Sequence, residues 1–199
     1  MLEGAPDEVR TVPRVEEVFG DLPVLETPRL LLRPLTLEDA ADIYAYASDP
    51  EVSRYVTWHA HRSIEDTRTF LHGALALYAA GQVAPWGMVH RADGKVIGTC
   101  GFVSWYPDHG RAEIGYSLAR AYWRQGYTTE AVRRIMRFGF EVMALNRIEA
   151  RCEIPNVASA RLLEKVGMTF EGILREHVYG KGRYRDMQMY SILRREWHP

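Results

Sequence analysis

Cysteine is scarce: only Cys100 and Cys152 occur in 199 residues. A disulfide framework is therefore excluded, and a reduced, cytoplasmic setting is expected. Both cysteines lie in predicted buried strands and read as small core residues. Long apolar runs are missing too. No window of about 18 apolar residues exists, so no membrane-spanning helix is expected. The opening stretch Met1–Gly20 is acidic and mixed, without the apolar segment of a secretory signal. Charge of one sign is also absent. The formal net charge is −1, which gives no global field to draw nucleic acid or an anionic membrane. No metal is expected: His59 and His61 stand i, i+2 with no cysteine or carboxylate cluster beside them. Two familiar phosphate motifs are missing as well. No Lys-Ser or Lys-Thr follows a glycine-rich stretch, and there is no G-x-G-x-x-G.

What is present suits one domain. The chain is 47% hydrophobic, ample for a core. Residues 1–24 carry Pro6, Pro13 and Pro23 and no period, and are expected to form a mobile or loosely docked extension; residues 25–199 form the domain. Leu30 to Leu32 reads as a buried strand. Thr36-Leu37-Glu38-Asp39 resembles a capping box and opens a helix with Ala40, Ile43, Tyr44 and Ala47 on one face. Ser63-Ile64-Glu65-Asp66 opens another, which stops at Gly81. Val83–Val89, Val96–Ser104 and Ala112–Leu118 form an antiparallel meander, with turns at Asp93-Gly94 and at Pro107 to Gly110. Arg147–Ile154 follows a long helix. Asn156 then caps a short helix that ends at Gly167, before two strands, Phe170–Tyr179 and Tyr184–Leu193. The order is β-α-α-β-β-β-α-β-α-β-β. This is an α+β fold with a central mixed, mostly antiparallel sheet flanked by helices. The strand Tyr184–Leu193 is expected to be exposed and to pair or pack across a two-fold axis in a homodimer.

The stretch from Ala112 to Phe140 organises the rest. It runs as strand, short basic loop and helix. Ala131, Val132, Ile135, Met136, Gly139 and Val142 give the helical period. A glycine turn that opens a helix leaves free N–H groups there, and the helix dipole favours an anion. Arg120 and Arg124 add positive charge. This is a site for phosphate or pyrophosphate.

Trp123-Arg124-Gln125-Gly126-Tyr127-Thr128-Thr129-Glu130-Ala131 resembles the pyrophosphate loop of the GNAT superfamily of N-acetyltransferases. More narrowly, it is similar to the RimJ/RimL type, where W-G-Q-G-Y-A-T-E-A is usual. Arg124 stands where glycine is common, and Thr128 where alanine or glycine is. The resemblance spans about Leu25 to Trp197. It implies a GNAT fold, acetyl-CoA as co-substrate and transfer to a primary amine. The implied acceptor is a protein N-terminus of the ribosomal-protein type. A small amine (polyamine, aminoglycoside or amino-acid analogue) and a CoA-binding sensor without turnover are the alternatives.

The resemblance also implies roles for residues. Pantetheine would pair with backbone of Ser117 and Leu118 in a splay between Ala112–Leu118 and Arg147–Ile154. Pyrophosphate would meet the loop at Arg124, Gln125, Gly126, Tyr127, Thr128 and Thr129. Asn156 and Ser159 match an N-x-x-S helix start that reaches CoA. Two carboxylates are candidate bases. Glu171 lies in Phe170-Glu171-Gly172-Ile173-Leu174-Arg175, similar to a Rim-type segment, and Glu113 lies beside the pantetheine. Many members use a tyrosine to protonate the thiolate, but that position is Leu163 here, and Ser159 is the implied substitute. Tyr55, Trp58 and His59 would wall the acceptor site, with Trp86 on the next strand.

Overall fold

Alternating apolar positions build one sheet with two covered faces. Leu30, Leu32, Met88 and Ile97 join one core cluster, while Leu31, Val89 and Val96 join or pack on a second. The structure, a computed structural model, describes residues 13–198. The strands are β1 (Leu25–Glu26), β2 (Leu30–Arg33), β3 (Trp86–His90), β4 (Val96–Tyr106), β5 (Arg111–Leu118), β6 (Arg147–Glu153), β7 (Thr169–Gly180) and β8 (Arg183–Leu193). They form an 8-stranded sheet in the order β1-β2-β3-β4-β5-β6-β8-β7. Every neighbouring pair is antiparallel except β5 and β6.

The helices are α1 (Val15–Phe19), α2 (Ala40–Ala47), α3 (Pro50–Ser53), α4 (Ile64–Ala79), α5 (Tyr127–Glu141) and α6 (Val157–Lys165). Side chains of α1, α5 and α6 share the first core cluster, and those of α2, α3 and α4 the second. The expected order of elements holds, with α1, β1 and α3 added. Thr36 starts its helix as expected. Its backbone N–H donates to Asp39 Oδ2 at 2.8 Å, although the first turn is 3₁₀ before α2 proper.

Two expectations change here. Residues 13–24 do not trail as a loose extension. Val18, Phe19 and Leu22 are buried, and Phe19 stacks at 5.9 Å from Trp86 and 6.0 Å from Trp105. Five residues of α1 are too few for a helical period to show, yet one turn suffices to bury an aromatic anchor. The expected extension over residues 1–12 lies outside the described residues. The strand Tyr184–Leu193 is not an edge of the sheet either, although Tyr184 at its start is exposed. β8 sits between β6 and β7, and β7 is the sheet edge. The hairpin folds back inward, so its second strand becomes internal.

Candidate active site

The sheet opens between its two parallel strands. β5 and β6 pair only at Arg111↔Arg147, Ala112↔Ile148 and Glu113↔Glu149. Beyond these the ladder ends, and a cleft of about 520 Å³ fills the gap. Ile114 to Ser117 line one wall and Ala150 to Cys152 the other. Tyr55 to Trp58 close the side of α2 and α4, and Asn156 and Ser159 the side of α6. Strands that lose their partner leave unpaired backbone groups, so an extended ligand can enter as a further strand.

The loop after β5 follows the cleft-lining Ser117 in the chain. Arg120–Tyr122 form a 3₁₀ turn. Arg124 then takes φ 61° and Gly126 φ 85°, and α5 starts at Tyr127. The left-handed value explains why glycine suits the position of Arg124; a side chain there costs roughly 1 kcal/mol. The first N–H that the helix claims is Glu130, which donates to Gly126 O at 3.0 Å. The N–H groups of Tyr127, Thr128 and Thr129 precede it and remain for a ligand at the positive end of the helix.

A clamp that the sequence did not reveal holds this loop. Glu130 accepts from Thr27 Oγ1 at 2.6 Å, from Arg29 N at 2.8 Å and from Arg29 Nε at 2.7 Å. Arg29 also donates to Gln125 O at 2.9 Å and lies 4.3 Å over the ring of Tyr127. Partners about a hundred residues apart leave no local signal.

The cleft's polar groups fall on two sides. On the α6 side, Asn156 caps the helix by accepting from Ser159 N at 3.2 Å. The Ser159 hydroxyl is 2.7 Å from the hydroxyl of Tyr116. Burial raises the Tyr116 phenol above its ordinary value, so it stays protonated. Tyr116 was missing from the sequence-based candidates. The signal was available: Ala112, Ile114, Tyr116 and Leu118 share one strand face, and a lone hydroxyl in an apolar row needs a partner. Cys152 also lines the cleft, and burial raises its thiol likewise. On the opposite side, Glu113 accepts from Arg151 Nε at 2.8 Å and Nη2 at 2.5 Å. Arg151 also contacts His177. The Ser117 hydroxyl bonds to Thr99 Oγ1 at 3.1 Å.

Four expected residues fall elsewhere. Glu171 is outside the cleft lining. It is the extra residue of a bulge in β7, which turns its side chain toward β8 and β6. Arg147 grips both its oxygens, one at 2.7 Å, and Ser191 donates to it at 2.7 Å. The Arg147 guanidinium holds the carboxyl at about 2, well below its ordinary range. Glu171 thus sits away from the cleft, paired on the sheet, while Glu113 lines it, and position favours Glu113 for the role expected of Glu171. Trp86 is fully buried among Phe19 and Phe138 and donates to Pro23 O at 2.7 Å, so it faces the core and no acceptor. His59 is exposed and outside the lining, unlike Tyr55 and Trp58. Leu118 is buried, and its carbonyl accepts from Trp123 Nε1 at 2.7 Å, which fastens the loop and leaves that oxygen occupied.

A family model described as acetyltransferase (GNAT) domain matches residues 29–169, from β2 to the start of β7. The chain belongs to the GNAT family. It is an acyltransferase of the N-acetyltransferase kind, in a family that uses acetyl-CoA. An uncharacterized GNAT relative, N-acetyltransferase p20 of Bacillus licheniformis, is 39% identical over 87% of this chain and 97% of its own. The ribosomal-protein-serine acetyltransferase of Escherichia coli is 28% identical over 65% of this chain and 72% of its own. A GNAT-family acetyltransferase structure from Bacillus anthracis superposes with a TM-score of 0.78 at 28% identity, over 87% of this chain and all of that one. Within the GNAT fold, this chain shows a parallel pair that splays and, after β5, a loop that opens α5.

Proposed function

We propose that the chain transfers an acetyl group from acetyl-CoA to the α-amine of a protein or peptide N-terminus. The residues fit the co-substrate. The free N–H groups of Tyr127, Thr128 and Thr129 suit a pyrophosphate, with Gln125 and Gly126 shaping the approach. The splay beside Ile114 to Ser117 suits a pantetheine chain.

One observation carries the acceptor reading: the charge of Glu113, the carboxylate of the cleft lining, is balanced by Arg151 beside it. A polycation such as a polyamine or aminoglycoside would need a surplus of negative charge to neutralise it, and the lining offers none. An α-amine titrates near 8 against about 10.4 for an alkyl amine, so much of it is neutral at physiological pH and asks little of a base. Among the relatives, the Escherichia coli enzyme is named for action on ribosomal-protein serine, which supports a protein acceptor of that type here.

Glu113 then takes the proton from the amine, directly or through one water, as nitrogen attacks the thioester carbon. Tyr55 and Trp58 hold the residue that bears the amine. Ser159, with Tyr116 behind it, donates to the departing sulfur, so the thiolate leaves as a thiol. Free thiol release, measured over a panel of N-terminal peptides and small amines, tests the reading. Turnover on peptides is expected, with kcat reduced about a hundredfold in Glu113→Gln. Turnover confined to polyamines or aminoglycosides would overturn the acceptor assignment.

A further inference from the structure

The loop that presents its N–H groups to an anion is fastened from a second side, by the β3–β4 turn. His90 ends β3 and Asp93 lies in the turn. The turn is itself fixed: His90 N donates to Lys95 O at 2.8 Å, and Gly94 N to His90 O at 2.9 Å. From it, His90 Nε2 meets the Tyr127 hydroxyl at 3.0 Å, and Tyr122 donates its hydroxyl to Asp93 Oδ2 at 2.9 Å. The three rings also stack edge to face. Centroids are 5.3 Å apart for His90 and Tyr122, 5.1 Å for His90 and Tyr127, and 5.8 Å for Tyr122 and Tyr127. His90 Nδ1 also lies 3.0 Å from Asp93 Oδ1.

The two tyrosines are the feet of the loop. Tyr122 closes the 3₁₀ turn before it, and Tyr127 is the first residue of α5. Between them Arg124 and Gly126 both take left-handed φ values. A loop in such a conformation keeps its shape only where its ends are held. Arg29 and Glu130 hold it from the side of β1 and β2, and the β3–β4 turn holds it from the other.

We propose that His90 and Asp93 are positioning residues for the cofactor loop. Through Tyr127 and Tyr122 they set the first N–H groups of α5 in place before the pyrophosphate arrives. The proposal rests on the reading that this loop takes the pyrophosphate of acetyl-CoA. Neither residue touches the ligand. Their contribution is to preorganisation, which removes the ordering cost from binding.

Calorimetric titration of the full chain with CoA tests it, beside titration with pantetheine, which has the chain of CoA but no pyrophosphate. His90→Phe keeps a ring for stacking and loses both nitrogen contacts. Tyr127→Phe deletes one oxygen and serves alone if His90→Phe does not fold. Each is expected to weaken CoA about five- to tenfold, and the double variant no more than His90→Phe alone, because the link that Tyr127→Phe breaks is already lost there. Pantetheine affinity and the KM for a peptide acceptor should stay within twofold. CoA binding unchanged in both variants would overturn the proposal, and so would an equal loss for pantetheine, which would mark a general loosening. Absence of CoA binding in the unaltered chain is a separate outcome: it would remove the assignment of the loop and the proposal with it.

Discussion

Two glutamates with arginine partners differ by where the pair points. Glu113 and Arg151 both line the cleft, whereas Glu171 and Arg147 lie at the end where β5 and β6 are still paired. The Glu171 carboxyl falls from 4.5 to about 2, because Arg147 and Ser191 bond to its charged form. A depressed folded value contributes stability above the unfolded value and loses it as pH falls through the folded one. The contribution is therefore complete above about pH 5 and is lost progressively as pH falls through about 2. At 38% side-chain exposure, solvent screening reduces the pair to about 1 kcal/mol. Urea unfolding of Glu171→Gln should show that deficit at pH 7 and a shrinking one as pH is lowered from 5 toward 2, while turnover stays within threefold. A hundredfold loss of turnover would return Glu171 to the chemistry. The sequence could not separate the two residues. Both sit on strands near arginines, and a bulge of one residue in β7 decides which way Glu171 turns.

At the scale of elements, the splay of β5 from β6 and the capped start of α6 bring Tyr116 and Ser159 together from chain positions 43 apart. A thiol of ordinary value near 8.5 leaves with little help. The hydroxyl pair is therefore worth less than a base. Ser159→Ala and Tyr116→Phe should each lower kcat about tenfold with KM for acetyl-CoA little changed, measured under saturating peptide. Losses that fall entirely on KM would make the pair a binding feature instead. Strand, loop and helix around Gly126 were legible because each carries a local mark: alternation, a left-handed glycine, a helical period. Asn156 and Ser159 were legible for the same reason, through the spacing of a helix cap. Arg29 with Glu130, and Tyr116 with Ser159, were not, since their partners meet only when distant strands register.

For the molecule as a whole, the two core clusters meet through the sheet, and the side of α5 is completed by α1. Phe19 is 1% exposed and packs on two tryptophans. Phe19→Ala should cost about 3–5 kcal/mol in urea unfolding. A loss below 1 kcal/mol would mean that α1 is an ornament on a core already complete. The order of elements was readable because each segment declares its own period. The docking of α1 was not, because one helical turn carries too few apolar residues to make a pattern.

The likeness to the acetyltransferase family model starts at Arg29, yet Val18, Phe19, Leu22 and Leu25 are buried ahead of it. The unit that the family model matches and the unit that packs together thus have different first residues. A fragment cut where the likeness begins would expose the indole of Trp86 and take away the carbonyl of Pro23 that its N–H relies on. Whoever excises this module for fusion or transplant would carry away the catalyst without its floor.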